Sequence, residues 1–560
     1  MIVRLLAALL LVSPVAALAR EPASAAGVVS AADPRAAEAG AAILRQGGTA
    51  TDAAIATLLV LTVVEPQSSG IGGGGFLLHF DPASGRVTSI DGRETAPFAA
   101  DPARFLGPDG TPLSRSVAIP GGLSVGVPGN VALMKLAHDQ WGKLPWAALF
   151  EPAIALARAG FVVNKTLEGR LADVADGWAA FPAARALYWQ EGRPKRAGER
   201  VVNPELARLF ERIANEGPDA FYSGANARAI VAAVRSAPHP SDMTASDLLA
   251  YRAIERPGLC APYREYRVCV MGPPSSGATT VLGMLGMLSR FDLAKLGPDS
   301  PESWHLIEQA MRLAYADRGR FVGDPGFTYV PVTGLLDPSY LAARSALIDP
   351  ARGIAATPPG DPPGALPRIA ATPGEKGGTS HFVAIDSADS VVSMTSTVEG
   401  VFGSQIVVNG VVLNNELTDF SFDPTDDGEL VANRVQRGKR PMSSMSPAIV
   451  FDAAGRPVFT VGAAGGPTII TQVAKALIAW IDWDMSAQAA IAAPNIFYSG
   501  HALVVEAGSS LERLRPGLAA LGTKLVVSDR LGGKANAAEL TEAGWIGAAD
   551  PRSEGAAVAP

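Results

Sequence analysis

The stretch from Gly377 to Thr397 constrains this chain more than any other. It reads Gly377-Gly378-Thr379-Ser380-His381, then nearly alternates through Phe382, Val383, Ile385, Val391, Val392 and Met394 to Thr395-Ser396-Thr397. A glycine pair leading into such a run predicts a hinge entering a β-hairpin, with Asp386 to Ser390 as the turn and Thr379 as the first strand residue. A threonine in that place has two readings. It can be a strand starter chosen for β propensity, or a nucleophile masked by the peptide bond in front of it. In the second reading the Thr379 hydroxyl attacks the Gly378 carbonyl, the chain passes through an ester, and hydrolysis leaves Thr379 as a new N-terminus. Its own α-amine, titrating near ~8, then serves as general base for its hydroxyl, so no histidine is required. The glycines suit this reading because a tight approach to the scissile bond needs residues without a Cβ.

The segment ahead of the hairpin points the same way. From Asp349 to Gly378 the composition shifts to Pro, Gly, Ala and Thr, centred on Pro358-Pro359-Gly360-Asp361-Pro362-Pro363-Gly364. Such a segment cannot build a core and is expected to be an exposed connector, a place where a chain can be cut without losing its fold.

A hydrophobic content of 48% with 18% charged residues predicts a well-buried globular protein, and a net charge of −7 gives no footprint for nucleic acid, so a small-molecule partner is expected. Residues 1–19 read as a signal peptide: Arg4, an apolar run from Leu5 to Val12, and Ala17-Leu18-Ala19 before the cut. The expectation is export to the periplasm or the medium, with no membrane span in the mature chain. Cys260 and Cys269 fall opposite each other if the chain turns at Arg264-Glu265. In an oxidising compartment they are either a disulfide or two buried thiols. Nothing in the cysteine pattern suggests a metal site.

Two alanine-rich segments, Ala31 to Gln46 and Ala50 to Val64, are predicted helices. The run Gly70-Ile71-Gly72-Gly73-Gly74-Gly75 invites a phosphate-loop reading, but it lacks a Gly-Lys-Ser/Thr ending and leads into the strand Phe76 to Phe80 rather than a helix. Close backbone packing is the better account. Arg93 follows a strand at Val87 to Ile90, where substrate-facing side chains are often presented; a surface arginine paired with a carboxylate is the alternative. Helices broken by Gly and Pro fill residues 128–260. A tight hairpin is expected on Asn409-Gly410 and a helix from Thr468 to Trp480.

Several ordered motifs then resemble one family. Gly377 to His381, Asn414-Asn415-Glu416-Leu417-Thr418-Asp419-Phe420-Ser421, Arg440-Pro441-Met442-Ser443-Ser444-Met445-Ser446-Pro447 and Gly462-Ala463-Ala464-Gly465-Gly466 are similar to those of the γ-glutamyltranspeptidases, which are N-terminal nucleophile hydrolases. The resemblance spans almost the whole mature chain. It implies an α/β fold, the four-layer αββα sandwich, built by a large subunit (20–378) and a small subunit (379–560) cut from one precursor. It also implies γ-glutamyl hydrolysis or transfer from glutathione or a related amide to water or an amino acid, with no metal or organic cofactor.

In that resemblance Thr379 is the nucleophile, Thr397 the threonine that orients it, and Gly465 and Gly466 supply the oxyanion hole. Arg93, with Ser443 and Ser444, binds the substrate carboxylate, and Glu416 and Asp419 bind its ammonium. One position departs from the pattern: two residues after Thr397, where the family usually carries an asparagine that contacts the substrate head, this chain has Glu399. An anion there repels a carboxylate unless it is paired with Arg93 or another base, or turned away. Two rival readings follow, an acylase for another acyl amide of the glutaryl or cephalosporin type, and an unprocessed, non-catalytic relative.

Overall fold

The computed structural model describes residues 24–366 and 378–560. The signal peptide and Gly377 lie outside them, as does the end of the Pro/Gly-rich connector. The strands of the two central sheets are, in chain order, β1 (Gly27–Ala31), β2 (Gly74–Asp81), β3 (Arg86–Asp91), β4 (Ile254–Pro257), β5 (Leu259–Tyr263), β6 (Tyr266–Val270), β7 (Thr379–Asp386), β8 (Val391–Thr397), β9 (Ala448–Phe451), β10 (Pro457–Gly462), β11 (Asn536–Thr541), β12 (Gly544–Ala549) and β13 (Ala556–Val558). The first sheet runs β13-β1-β7-β8-β2-β3-β4 and the second β12-β11-β10-β9-β6-β5. Each sheet takes strands from both sides of Gly378, so the two halves are one fold.

Alternation along the strands sorts side chains into layers, because successive residues point to opposite faces. In β7, Phe382 and Ala384 pack outward with the helices α1 (Pro34–Arg45), α2 (Ala50–Val64) and α3 (Asn130–Trp141). Val383 and Ile385 point inward and meet Ile449 and Phe451 of β9 between the sheets. On the far side, Val450, Phe459 and Val461 pack under α4 (Gly277–Leu288), α5 (Pro301–Phe321) and α6 (Thr468–Ile481). The result is helix, sheet, sheet, helix, the four-layer order the resemblance implied.

The predicted helix at Ala31 starts three residues late: Ala31 ends β1, and Asp33 caps the helix with Pro34 at its first position. Cys260 and Cys269 are directly opposed on β5 and β6 and form a disulfide, with the turn at Arg264-Glu265. Among the described residues no helix is long and apolar enough to cross a membrane.

Candidate active site

Register places the nucleophile candidate. Thr379 opens β7 directly across from Thr397, the last residue of β8, and Thr397 in turn faces Gly74 of β2. The glycine run permits this contact: a Cβ on Gly73 would lie 1.9 Å from the Thr397 carbonyl oxygen, and one on Gly72 2.0 Å from that of Val412. Both threonines are buried. The Thr379 hydroxyl donates to Thr397 Oγ1 at 3.2 Å, and Thr397 Oγ1 donates to the Gly378 carbonyl at 2.7 Å. The Glu399 N–H donates to Thr397 Oγ1 at 2.8 Å, which fixes that hydroxyl. One hydroxyl therefore links the Thr379 oxygen to the Gly378 carbonyl.

Arg93 lies just past the end of β3 and is 1% exposed. Its Nε donates to the Pro441 carbonyl at 3.2 Å and its Nη2 to the Met442 carbonyl at 2.8 Å. The same Nη2 pairs with Asp419 Oδ2 at 2.5 Å, and Nη1 pairs with Glu416. Burial works against this guanidinium's charge, but Glu416 and Asp419 outweigh it, and its pKa is held above the ordinary value. The two acids project from one short 3-10 turn, Glu416–Asp419.

Arg93, Glu416, Asp419, Ser443, Ser444 and Glu399 surround a cavity of about 20 Å³ that also touches Thr379, Thr397 and Gly466. That is room for little more than one water. The small size follows from the ion pairs, since the cation and anions that could receive a zwitterion here satisfy one another.

Gly465 and Gly466 follow β10 and precede α6. Their φ values of 138° and 60° favour glycine. Gly466 borders the small cavity, whereas Gly465 borders a second, larger one that also touches Thr379. Gly466 thereby shares a wall with Thr379 at the entrance to α6.

A family model described as Gamma-glutamyltranspeptidase matches residues 36–559. The chain belongs to the γ-glutamyltranspeptidase family. It is 38% identical over 480 residues to the glutathione hydrolase proenzyme of Bacillus subtilis (strain 168), covering 84% of this chain and 80% of that one. Identity is 35% over 550 residues to the acylase ACY 1 proenzyme of Pseudomonas sp. (strain SE83), covering 96% and 95%. Among solved structures, the cephalosporin acylase from Bacillus halodurans superposes with a TM-score of 0.85 at 27% identity, over 98% of this chain and 99% of that one.

Within this γ-glutamyltranspeptidase-family site, three residues stand out that the motifs did not single out. Glu94 is fully buried beside Arg93. Among the described residues no other residue's N–H or O–H donates to its carboxyl oxygens or to Glu416 Oε2; the Glu94 carboxyl is approached by its own backbone N–H and by the Glu416 carboxyl. A proton on either carboxyl removes the repulsion between two buried anions. Burial pushes Glu94 up to about 7 against the pull of Arg93, and burial also drives Glu416 well above the carboxylate range, with Glu94, Asp419 and Glu399 adding repulsion.

The second is Asn415, whose Nδ2 donates to Glu399 and whose Oδ1 accepts the Gly400 N–H at 2.7 Å. Glu399, at φ 73°, is thus held by an amide; of the alternatives open for it, pairing with Arg93 is not the one adopted, because Glu416 and Asp419 occupy that guanidinium. Third, Arg318 on α5 donates to the oxygens of Ser276 and Ser444, each at 2.8 Å. With its oxygen so engaged, the Ser444 hydroxyl keeps its proton for another acceptor. The spacing of the sequence carries no signal for these long-range contacts, although Glu94 adjoins a residue that was singled out.

Proposed function

We propose that this chain is a self-processing γ-glutamyl hydrolase and transpeptidase. The observation that carries the reading is the cavity in which Thr379 shares walls with one buried arginine and a surplus of buried acids. Cleavage after Gly378 would divide the precursor into a large part (20–378) and a small part (379–560). In that step the Thr379 oxygen attacks the Gly378 carbonyl while Thr397 donates to its oxygen, and the resulting ester is hydrolysed. The freed α-amine of Thr379 then takes the proton from its own hydroxyl as that oxygen attacks a γ-glutamyl amide. The N–H groups of Gly465 and Gly466 receive the oxyanion, the amine leaves with the proton, and an acyl-enzyme remains. Water or an amino acid's amine displaces the acyl group and returns the proton to Thr379.

Charge selects the donor. Arg93, Ser443 and Ser444 suit a carboxylate, and Asp419 and Glu416 suit an ammonium. A glutaryl group brings a carboxylate and no cation into a site already rich in acids, whereas a γ-glutamyl head brings both charges. Glu399 adds to that surplus and favours an ammonium-bearing head. The likeness to acylases keeps a second reading in play, turnover of a glutaryl-type amide by the same threonine. The leader at 1–19 supports export to the periplasm or medium.

Chromogenic γ-glutamyl and glutaryl anilides compared on the processed protein test this reading. Faster release from the γ-glutamyl compound is expected. Turnover of the glutaryl anilide with none of the γ-glutamyl one would establish the acylase reading instead, and a protein that never splits would end both.

A further inference from the structure

The loop that follows Thr397 is bent against the preference of its residues. Glu399, Phe402 and Gln405 have φ values of 73°, 58° and 67°, a left-handed conformation uncommon for residues with a Cβ, and Gly403 joins them at 50°. Such outliers persist only where the surroundings over-determine them, and they concentrate at functional sites. The same loop touches the residue whose bond self-processing would cut. Gly378 is buried, and a Cβ placed on it would lie 2.6 Å from the Glu399 carbonyl oxygen and 2.7 Å from that of Gly400. We propose that the loop from Glu399 to Gln405 is a template for self-cleavage: its Glu399 and Gly400 carbonyls seat Gly378, and Phe402 is the positioning residue that anchors it. The inference rests on the self-processing reading and names what aims the scissile carbonyl.

The loop is clamped along its length. The N–H groups of Val398 and Phe402 donate to the carbonyls of Ser68 and Gln67 at 3.1 and 3.2 Å, and the Gly400 N–H donates to Asn415 Oδ1 at 2.7 Å. Within the loop, the Gly403 and Gln405 N–H groups close turns onto the carbonyls of Gly400 and Phe402 at 2.9 and 2.8 Å. The Phe402 ring is buried, edge-on to Trp178 at 5.0 Å between centroids and tilted against Tyr188 at 5.1 Å. Those two rings belong to the short helices Ala175–Ala180 and Pro182–Tyr188, so the part of the chain ahead of the cut grips the part behind it.

Gly378 is therefore fixed twice. Its carbonyl oxygen accepts from Thr397 Oγ1 at 2.7 Å, and its α-carbon sits against two backbone carbonyls that cannot swing aside as the end of a flexible side chain would. In the cleavage step the Thr379 Oγ bonds to the Gly378 carbonyl carbon, the C–N bond to Thr379 breaks, and the hydroxyl proton passes to the freed α-amine. Water then takes the acyl group from the ester and leaves a proton on Oγ. A misplacement of about 1 Å at the first of these steps costs about a hundredfold in rate.

The test times the loss of full-length chain in rapidly purified precursors, taking only the folded fraction from gel filtration. Gly378→Ala should split about 100-fold more slowly than wild type, Phe402→Ala about tenfold more slowly, and Phe402→Leu, which keeps apolar bulk between Trp178 and Tyr188, within about threefold of wild type. Hydroxylamine reports which step has slowed, since it cleaves an ester far faster than a peptide bond. It should leave both slow rates unchanged, because in these variants the ester is not formed. Wild-type splitting in Gly378→Ala overturns the proposal, as does a rate restored by hydroxylamine. A Phe402→Ala precursor that melts at a lower temperature yet splits at the wild-type rate assigns Phe402 to stability alone and refutes the anchor. Should Phe402→Ala not fold, Gly378→Ala decides. A wild type that never splits removes the self-processing reading itself, a result distinct from a wild type that splits alongside unimpaired variants.

Discussion

Replacing Thr397 with valine would isolate the step that uncovers the nucleophile. Valine keeps the shape of the buried side chain and removes only the hydroxyl. That hydroxyl donates to the Gly378 carbonyl at 2.7 Å and accepts from Thr379 Oγ1 at 3.2 Å and the Glu399 N–H at 2.8 Å. As Thr379 attacks, the Gly378 oxygen gains charge, and loss of one such donor costs ~3 kcal/mol of barrier, about a hundredfold or more in rate. The native state loses less: the orphaned Glu399 N–H costs ~1–3 kcal/mol, so the precursor should fold with a lowered melting temperature. The assay is the disappearance of full-length chain on denaturing gels after rapid purification. Thr397→Val should split at least ~100-fold more slowly than wild type, and Thr397→Ser should stay within about threefold, because it restores the hydroxyl. Wild-type splitting in Thr397→Val would refute the bridging role assigned to this hydroxyl.

Two further outcomes follow from the charge cluster. Asp419→Asn should lower kcat/KM for a γ-glutamyl anilide by about a hundredfold, the scale of a lost buried charge partner, while narrowing the preference over a glutaryl anilide; an unchanged ratio between the two donors would remove Asp419 from ammonium recognition. Glu94→Gln bears on stability against pH. The Glu94 carboxyl sits at about 7 in the folded protein against 4.5 ordinarily, so the native state keeps a proton that the unfolded chain gives up. Its stability contribution is intact below about 4.5 and is lost as pH rises through about 7. Between pH 5 and pH 8 the wild type should lose more stability than Glu94→Gln, by on the order of 1–3 kcal/mol, and parallel thermal melts across that interval would contradict a raised Glu94 carboxyl.

Much of this site could be read in the sequence because its parts are local. The hairpin from Thr379 to Thr397 announces itself by alternation and an Asp386 turn. Gly72 and Gly73 announce a place where only bare backbone fits, and Arg93 sits where a strand ends. The layers follow from the same alternation, since Val383 and Phe382 differ only in which face they meet. What stayed hidden depends on residues far apart in the chain. Glu94 and Glu416 are brought together across more than three hundred residues, and Arg318 reaches Ser444 from another helix. The partner of Glu399 is also set by competition: Arg93 is already saturated by two acids, so Glu399 turns to Asn415 with a left-handed backbone. Local spacing cannot express which of three nearby carboxylates wins one guanidinium.

As proposed, Thr379 becomes an N-terminus and carries the acyl group. Intact mass spectrometry of the purified protein, before and after brief exposure to a γ-glutamyl anilide, measures it directly. A fragment of ~19 kDa, by proportion from the 57.7 kDa chain, is expected to begin Thr379-Ser380-His381 and to gain one γ-glutamyl group on Thr379. An uncut chain, or an adduct on any other residue, would contradict it.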